Sequence, residues 1–170
     1  KKILFLIFLI ANVEARPISY SGGSTMMTMS DNMKESIYYH YSPTYKYSVG
    51  IESVKDKFFD KDYLYLRLTY LLNRKNTKNS QRNLYFQSAI SPDDLNDNFY
   101  GIHGDWETRR LFSGFGYKRV INNIRDFTEQ YYQLGIAPYI GEYGDFHTWM
   151  MVKSKKNSLT SDWITYPVLK

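Results

Sequence analysis

Methionine and histidine are the residues whose types and spacing could most directly support chemistry in this chain. Met26, Met27, Met29 and Met33 lie within eight residues, and Met150 and Met151 closely follow His147. Thioether and imidazole groups favour soft Cu(I), and the chain has no cysteine that could supply thiolates. The pattern therefore suggests a Cu(I)-binding site as one hypothesis. The simpler alternative is that the flexible methionine side chains pack in irregular apolar contacts.

Charged residues between positions 105 and 109 form a second candidate site. Asp105, Glu107 and Arg109 share one side of a strand if that strand continues through all three. Opposite charges inside a narrow barrel must pair to be tolerated, and such networks fill or gate small barrels. We therefore predict a lumenal charge network of these residues. The alternative is a solvated turn that contains Arg109 and Arg110.

Catalytic motifs are missing from the sequence. It contains no phosphate-binding loop, no Gly-x-Ser-x-Gly elbow, no His-Glu-x-x-His helix and no dinucleotide fingerprint. The three histidines, His40, His103 and His147, are far apart along the chain, and ordinary polar strand residues are their simplest interpretation. A carboxylate acid/base pair is disfavoured because nothing else defines a substrate site. We predict a protein without enzymatic activity.

The first fifteen residues have the pattern of a secretory signal peptide. Lys1 and Lys2 precede an unbroken apolar run from Ile3 to Ile10, and Val13-Glu14-Ala15 offers a cleavage site. The apolar run is shorter than the roughly 20 residues that a membrane-spanning helix needs. We predict a signal peptide at 1–15, an irregular Met-rich segment at 16–34 and one β-domain at 35–170.

From residue 35 onward the dominant period is two, which is typical of half-buried strands. Leu64, Leu66 and Leu68 fall on one face of a long strand. Tyr65, Arg67 and Asn73 fall on the other face. The pattern predicts strands at 35–42, 45–54, 63–74, 82–90, 98–107, 110–120, 127–140, 146–154 and 162–169. Short turns alternate roughly with longer loops, which favours an up-and-down barrel with two unlike ends.

Composition narrows the class of protein. Aromatic residues make up 18% of the chain, and 17 of them are tyrosines, which suit a membrane–water interface. The net charge of +5 comes from scattered residues, so nucleic-acid binding is not expected. The lack of cysteine excludes a disulfide scaffold. A mean hydropathy of -0.50 is too polar for a helical membrane protein but is compatible with a transmembrane barrel.

Three stretches of the chain resemble a known group of sequences. They are Tyr39-His40-Tyr41-Ser42-Pro43-Thr44 with Tyr47-Ser48-Val49-Gly50, then Asp105 to Arg110, and Ile136 to Trp149. This pattern is similar to an uncharacterised proteobacterial family of exported proteins, whose genes often lie near copper and heavy-metal resistance genes. The resemblance implies an outer-membrane barrel of unknown function with a metal-stress role. The matching positions with suitable ligand chemistry are Met27, Met29, His40 and His147.

The family resemblance also bears on the C-terminal strand. Family members continue for one or two further strands, which implies that the strand starting near Trp163 lacks its closing partner here. We expect an all-β, antiparallel up-and-down transmembrane β-barrel of eight to ten strands when complete, in the outer membrane of a Gram-negative bacterium. Its expected partners are outer-membrane lipid and the barrel-assembly machinery, and its only candidate cofactor is Cu(I).

The sequence is also compatible with two other functions. One is a soluble periplasmic β-sandwich or lipocalin-like barrel that binds a ligand. The other is a barrel enzyme that modifies lipids with His147 and a loop serine. The expected role of a non-enzymatic membrane barrel is structural, metal-handling or passage of small solutes.

Overall fold

A computed structural model describes residues 12–13, 15–31, 33–140 and 148–170. This part of the chain consists of β-strands joined by turns and loops and contains no helix. The strands are β1 (Asn12–Val13), β2 (Gly23–Ser30), β3 (Lys34–Thr44), β4 (Tyr47–Asp56), β5 (Lys61–Asn76), β6 (Ser80–Ile90), β7 (Asn98–Thr108), β8 (Leu111–Ile121), β9 (Phe127–Ile136), β10 (Met150–Asn157) and β11 (Trp163–Leu169). The predicted all-β class is confirmed.

The strands form an up-and-down barrel. Each strand from β2 to β11 pairs antiparallel with the next one along the chain. The curled sheet is closed by β1, which pairs in parallel with β11 at Asn12 and Val168 and antiparallel with β2 at Val13 and Thr28. Within the described residues, β11 is bridged on this side only at Val168 and Leu169, and its earlier residues pair with β10 alone.

Side chains alternate between the two faces of the wall, as the pleat of a strand requires. On β5, Leu64, Leu66 and Leu68 lie on the outer face and are exposed, whereas Tyr63 and Tyr65 are buried in the lumen. The same alternation holds along most of the other strands. The outer face is therefore largely apolar, and the inner face carries most of the buried charged residues.

The two ends of the barrel are built with different turns. At one end, the short-turn end, β3–β4, β5–β6 and β7–β8 are joined by two or three residues, and β9–β10 by the longer segment 137–149. These three short turns use threonine hydroxyls: Thr44, Thr77 and Thr108 each accept a backbone N–H two or three residues later.

At the other end, the long-loop end, the five connections use carboxylate or amide oxygens instead. In each, a side-chain oxygen accepts a backbone N–H two or three residues later; these side chains are Asp31, Asp56, Asp94, Asn122 and Asn157. Short polar side chains of this kind form turns locally, without tertiary partners. The sequence therefore fixes both sets of barrel turns through local hydrogen bonds.

The structure corrects four sequence predictions. The segment 16–34 is not irregular throughout, because Gly23–Ser30 forms β2. The strand predicted at 127–140 ends at Ile136, and the strand predicted at 146–154 is Met150–Asn157. A register shift between Leu71 and Asn73 leaves Asn73 exposed, although strict alternation placed it on the inner face. Residues 1–11 and 14 of the predicted signal peptide lie outside the described residues.

Candidate functional site in the barrel lumen

Apolar side chains fill parts of the lumen near both ends. One cluster contains Val54, Tyr63, Tyr65, Ala89, Phe99, Val120 and Phe127. A second contains Phe112, Ala137, Trp149, Met151 and Val168, and a third contains Ile18, Leu71 and Tyr85. These clusters narrow the lumen, so a ten-stranded wall does not enclose a wide aqueous channel of the kind found in 16-stranded porins.

A cluster of buried and half-buried charges lies beside the first aromatic cluster. The Oε2 atom of Glu129 lies 3.1 Å from Nζ of Lys118, 3.6 Å from Nζ of Lys34 and 3.7 Å from Nζ of Lys155. Lys155 Nζ also donates to Asp31 Oδ2 at 3.0 Å. Three ammonium groups thus converge on one carboxylate oxygen, and a second carboxylate shares one of them.

Asp31 lies in the β2–β3 turn, where its two oxygens have separate roles. Oδ1 accepts the backbone N–H groups of Met33 and Lys34 and so forms the turn, while Oδ2 accepts from Lys155. Burial alone would raise the pKa of the Asp31 carboxyl, but the ammonium groups of Lys155 and Lys34 outweigh it and hold that pKa below its ordinary value of 3.8. The carboxylate is therefore ionised at neutral pH.

Arg67 is held next to this cluster by one ion pair and two rings. Its Nη1 donates to Glu52 Oε2 at 2.8 Å, and its guanidinium carbon lies 4.1 Å from the ring centroid of Tyr38 and 5.3 Å from that of Phe99. Stacking of this kind restricts the planar guanidinium to one orientation. The Nε atom of Arg67 has no hydrogen-bond partner among the described residues.

These charged residues surround a cavity of about 110 Å³. Among the described residues, five cationic side chains line it, namely Lys34, Arg67, Lys118, Lys153 and Lys155, together with the two carboxylates of Glu52 and Glu129. Lys153 is buried, with its Nζ 4.2 Å from the ring centroid of Tyr131. Gly116 also lines the cavity and leaves room for the Tyr131 ring, because a Cβ at Gly116 would lie 2.6 Å from Tyr131 Cζ.

The segment that precedes β2 runs inside the barrel. Arg16 forms an ion pair with Glu107, Ser48 Oγ donates to the Pro17 carbonyl at 2.7 Å, and the Ser19 backbone N–H donates to Ser42 Oγ at 2.9 Å. Ile18 is only 2% exposed. Ala15 and Pro17 form part of the cavity wall, so this segment closes one side of the site.

The four residues with suitable metal chemistry are placed differently. Met27 and Met29 line the cavity. His40 is fully buried on the adjacent strand, paired in register with Thr25, and its Nε2 lies 3.4 Å from Ser19 Oγ. His147 lies outside the described residues. Over the described ranges, no group of three or more histidine or acidic side chains is placed to hold a metal ion.

Two of the three residues predicted to form a network at 105–109 lie on the inner face. Asp105 and Glu107 are buried on the inner face, and Asp105 Oδ1 accepts from Asn83 Nδ2 at 2.6 Å. Arg109 is not part of the network, because β7 ends at Thr108 and Arg109 is exposed in the following turn. Arginines from elsewhere take its place.

These two arginines come from distant parts of the chain. Arg16 pairs with Glu107, and Arg74 Nε donates to Asn83 Oδ1 at 2.7 Å. His103 extends the group, since its Nε2 lies 3.8 Å from Asp105 Oδ2 and its Nδ1 contacts the Tyr131 hydroxyl. The network therefore lies next to the cavity, which both His103 and Tyr131 line.

Comparison with other proteins adds no function. No protein-family model, curated protein or solved structure matches this chain. Among the described residues, no helix is long and apolar enough to cross a membrane.

Sequence reasoning missed the lysine cluster, although a signal for it exists. Lys153 and Lys155 alternate with outward-facing residues of β10, as Glu52 does between Ile51 and Ser53 on β4. A charge at an inner position of an otherwise alternating strand indicates a lumenal residue. That signal identifies the face of each residue but not its partners.

Proposed function

We propose that the chain is a non-enzymatic β-barrel that spans the outer membrane of a Gram-negative bacterium, with a polar lumen that accepts a small solute. The observation that carries this proposal is the inverted polarity of the wall. Leu66 and Ile51 on the outer face are 46% and 50% exposed, whereas Glu52 on the inner face is 3% exposed. Apolar side chains facing outward and charges facing inward are typical of transmembrane barrels.

The same polarity argues against the soluble alternatives. A lipocalin-like barrel or a β-sandwich in water buries its apolar residues and exposes its polar ones. Here the exposed set includes Ile37, Leu64, Leu66, Leu68, Leu72, Leu134, Ile136 and Val152. Monomeric soluble proteins rarely expose contiguous apolar patches larger than a few hundred Å². A surrounding lipid phase accounts for this outer face.

The height of the apolar band suits a bilayer. On β5 the outward apolar residues run from Leu64 to Leu72. Eight steps of about 3.3 Å, tilted by roughly 40°, give a band of about 20 Å, against about 25 Å in outer-membrane barrels. Exposed tyrosine and tryptophan flank it, with Tyr41 and Trp106 near the short-turn end and Trp163 near the long-loop end. Such rings favour the membrane–water interface.

The Cu(I) hypothesis remains a separate proposal for the same lumen. Met27 and Met29 supply two thioethers to one cavity, and His40 lies on the paired strand. The five cationic side chains around that cavity oppose the entry of another cation. A Cu(I) titration of the refolded protein and of a Met27→Leu/Met29→Leu variant tests it. Equal binding by both proteins would contradict the assignment of these residues.

Fractionation of cells tests the membrane proposal. We expect the protein in the outer-membrane fraction, extracted only by detergent, and with a gel mobility that changes on heating. A protein that stays in the soluble periplasmic fraction would overturn the proposal. A barrel in this membrane also requires the barrel-assembly machinery, so depletion of that machinery is expected to lower the folded amount.

A further inference from the structure

We propose that the lumenal cavity binds a small free oxyanion, of the size of inorganic phosphate or sulfate, through Lys34, Lys118, Lys155 and Arg67. This inference adds a ligand class to the small-solute role proposed above. It rests on that role for the accessibility of the lumen, but it does not require contact of the outer face with lipid.

The first argument is the convergence of ammonium groups. The Nζ atoms of Lys34, Lys118 and Lys155 each lie within 3.7 Å of Glu129 Oε2, so no two of them can be farther apart than twice that distance. An oxygen of phosphate or sulfate can likewise accept charge-assisted hydrogen bonds from several ammonium groups. The Glu129 carboxylate already occupies this arrangement as an internal oxyanion.

The second argument is the charge balance among the described residues. Lys34, Lys118, Lys155 and Arg67 carry four positive charges, and their carboxylate partners Glu129, Asp31 and Glu52 carry three negative charges. Among the described residues, this group therefore has one positive charge more than its carboxylate partners, and a bound anion would balance that charge.

The third argument is size and rigidity. The cavity of about 110 Å³ holds several water molecules, since roughly 10–15 Å³ is enough for one on this measure. A small oxyanion, which displaces only a few of these waters, therefore fits in the cavity. Arg67 is fixed by Glu52 and by the rings of Tyr38 and Phe99, which lowers the entropy cost of binding.

Two other features of the molecule support weaker inferences. Ser19 Oγ lies 3.4 Å from His40 Nε2, but His40 is fully buried and contacts no carboxylate among the described residues. The outer groove around Val49, Leu66 and Ile90 belongs to the apolar surface already assigned to lipid. Neither feature identifies a ligand class as the lysine cluster does.

The test is a titration of the full chain, refolded in detergent without phospholipid, with sodium phosphate and with sodium sulfate. Sodium chloride at matched ionic strength is the control for screening. We expect saturable binding by calorimetry, at least tenfold weaker in Lys118→Gln. The variant Lys78→Gln, in an exposed turn at the short-turn end, is expected to bind as the wild type does.

Glu129→Gln separates a binding site from a purely structural cluster. Removal of the competing carboxylate frees three ammonium groups, so phosphate is expected to bind at least tenfold more tightly than to the wild type. If this variant refolds poorly, phosphate is expected to restore its refolding yield. Lys34→Gln replaces Lys118→Gln if the latter does not fold.

Three results would overturn the inference. The first two are phosphate binding that depends on ionic strength alone, and phosphate binding that is equally strong in Glu129→Gln and Lys118→Gln. The third is a Glu129→Gln variant that does not bind phosphate and whose refolding yield phosphate does not restore. These results leave the membrane proposal intact, because that proposal is tested by fractionation and not by anion binding.

Discussion

Leu68 lies at the centre of the outward apolar run of β5, between Val49 of β4 and Ser88 of β6. Replacing it with arginine places a charge at the middle of the proposed lipid-facing band. Arginine at the midplane of an outer-membrane barrel costs about 2–4 kcal/mol, and near the interfaces the cost is about 0–1 kcal/mol. At about 1.4 kcal/mol per tenfold change, Leu68→Arg is expected to lower the folding equilibrium constant roughly 30- to 700-fold.

Leu72→Arg is the matched control. Leu72 has the same side chain on the same strand and face, is 51% exposed, and lies about 13 Å along the strand from Leu68. It is therefore close to the edge of the band, and its replacement is expected to cost about 0–1 kcal/mol. In a soluble protein both exposed leucines would tolerate arginine within about 0.5 kcal/mol.

The assay is urea unfolding in phospholipid vesicles, followed by tryptophan fluorescence and by heat-modifiable gel mobility. We expect a large loss of stability for Leu68→Arg and a small one for Leu72→Arg. Equal effects of the two substitutions, or no effect of either, would refute the argument that the leucine face of β5 is embedded in lipid.

Three other expectations follow from the lumen. The pKa of Asp31 in the folded protein lies below its ordinary value of 3.8, so the ionised Asp31 stabilises the fold above that pH. This stabilisation is lost as the pH falls through the folded-state pKa. In unfolding titrations, the stability difference between the wild type and Asp31→Asn is therefore expected to shrink below about pH 3.8. Glu52→Gln leaves Arg67, whose side chain is only 10% exposed, without its carboxylate and is expected to cost about 3–5 kcal/mol. In a double-mutant cycle, the Glu52→Gln/Arg67→Gln variant is expected to cost less than the sum of the two single changes. Gly116→Val forces the Tyr131 ring out of its place beside His103, and in urea unfolding it is expected to cost about 1–3 kcal/mol. The control is Ser113→Ala, on the outer face of the same strand, which is expected to leave the free energy of unfolding nearly unchanged.

The sequence predicted the barrel wall well because each strand carries its own signal. Alternation such as Leu64, Leu66 and Leu68 against Tyr65 and Arg67 depends only on the pleat. In β2 the neighbours Met26 and Met27 are both apolar, although only Met27 lines the lumen, and this hides the period. Local pattern therefore predicts a strand only where its two faces differ in polarity.

The lysine cluster could not be predicted in the same way. Lys118 lies directly opposite Glu129 on the neighbouring strand β8, and Lys155 lies on β10, which pairs with the other side of β9. Lys34 on β3 instead reaches Glu129 from a distant part of the wall, and this contact depends on how the strands are tilted and staggered around the barrel. Strand tilt and stagger are properties of the closed sheet and not of any one segment. Arg109 was predicted to lie on the inner face because of its spacing from Asp105 and Glu107. This prediction is wrong because β7 ends at Thr108, one residue before it.

The short strand β1 has a consequence for the order of folding. Every other strand pair joins neighbours along the chain, so the meander can grow one hairpin at a time through contacts of short sequence separation. The pairing of Asn12 with Val168 instead closes a loop of nearly the whole chain, at an entropy cost of roughly 4–5 kcal/mol for an otherwise flexible loop. The seam is therefore expected to form last and to open first. Because β1 lies within the predicted leader, cleavage after Ala15 would leave β2 and β11 to complete that final step without it.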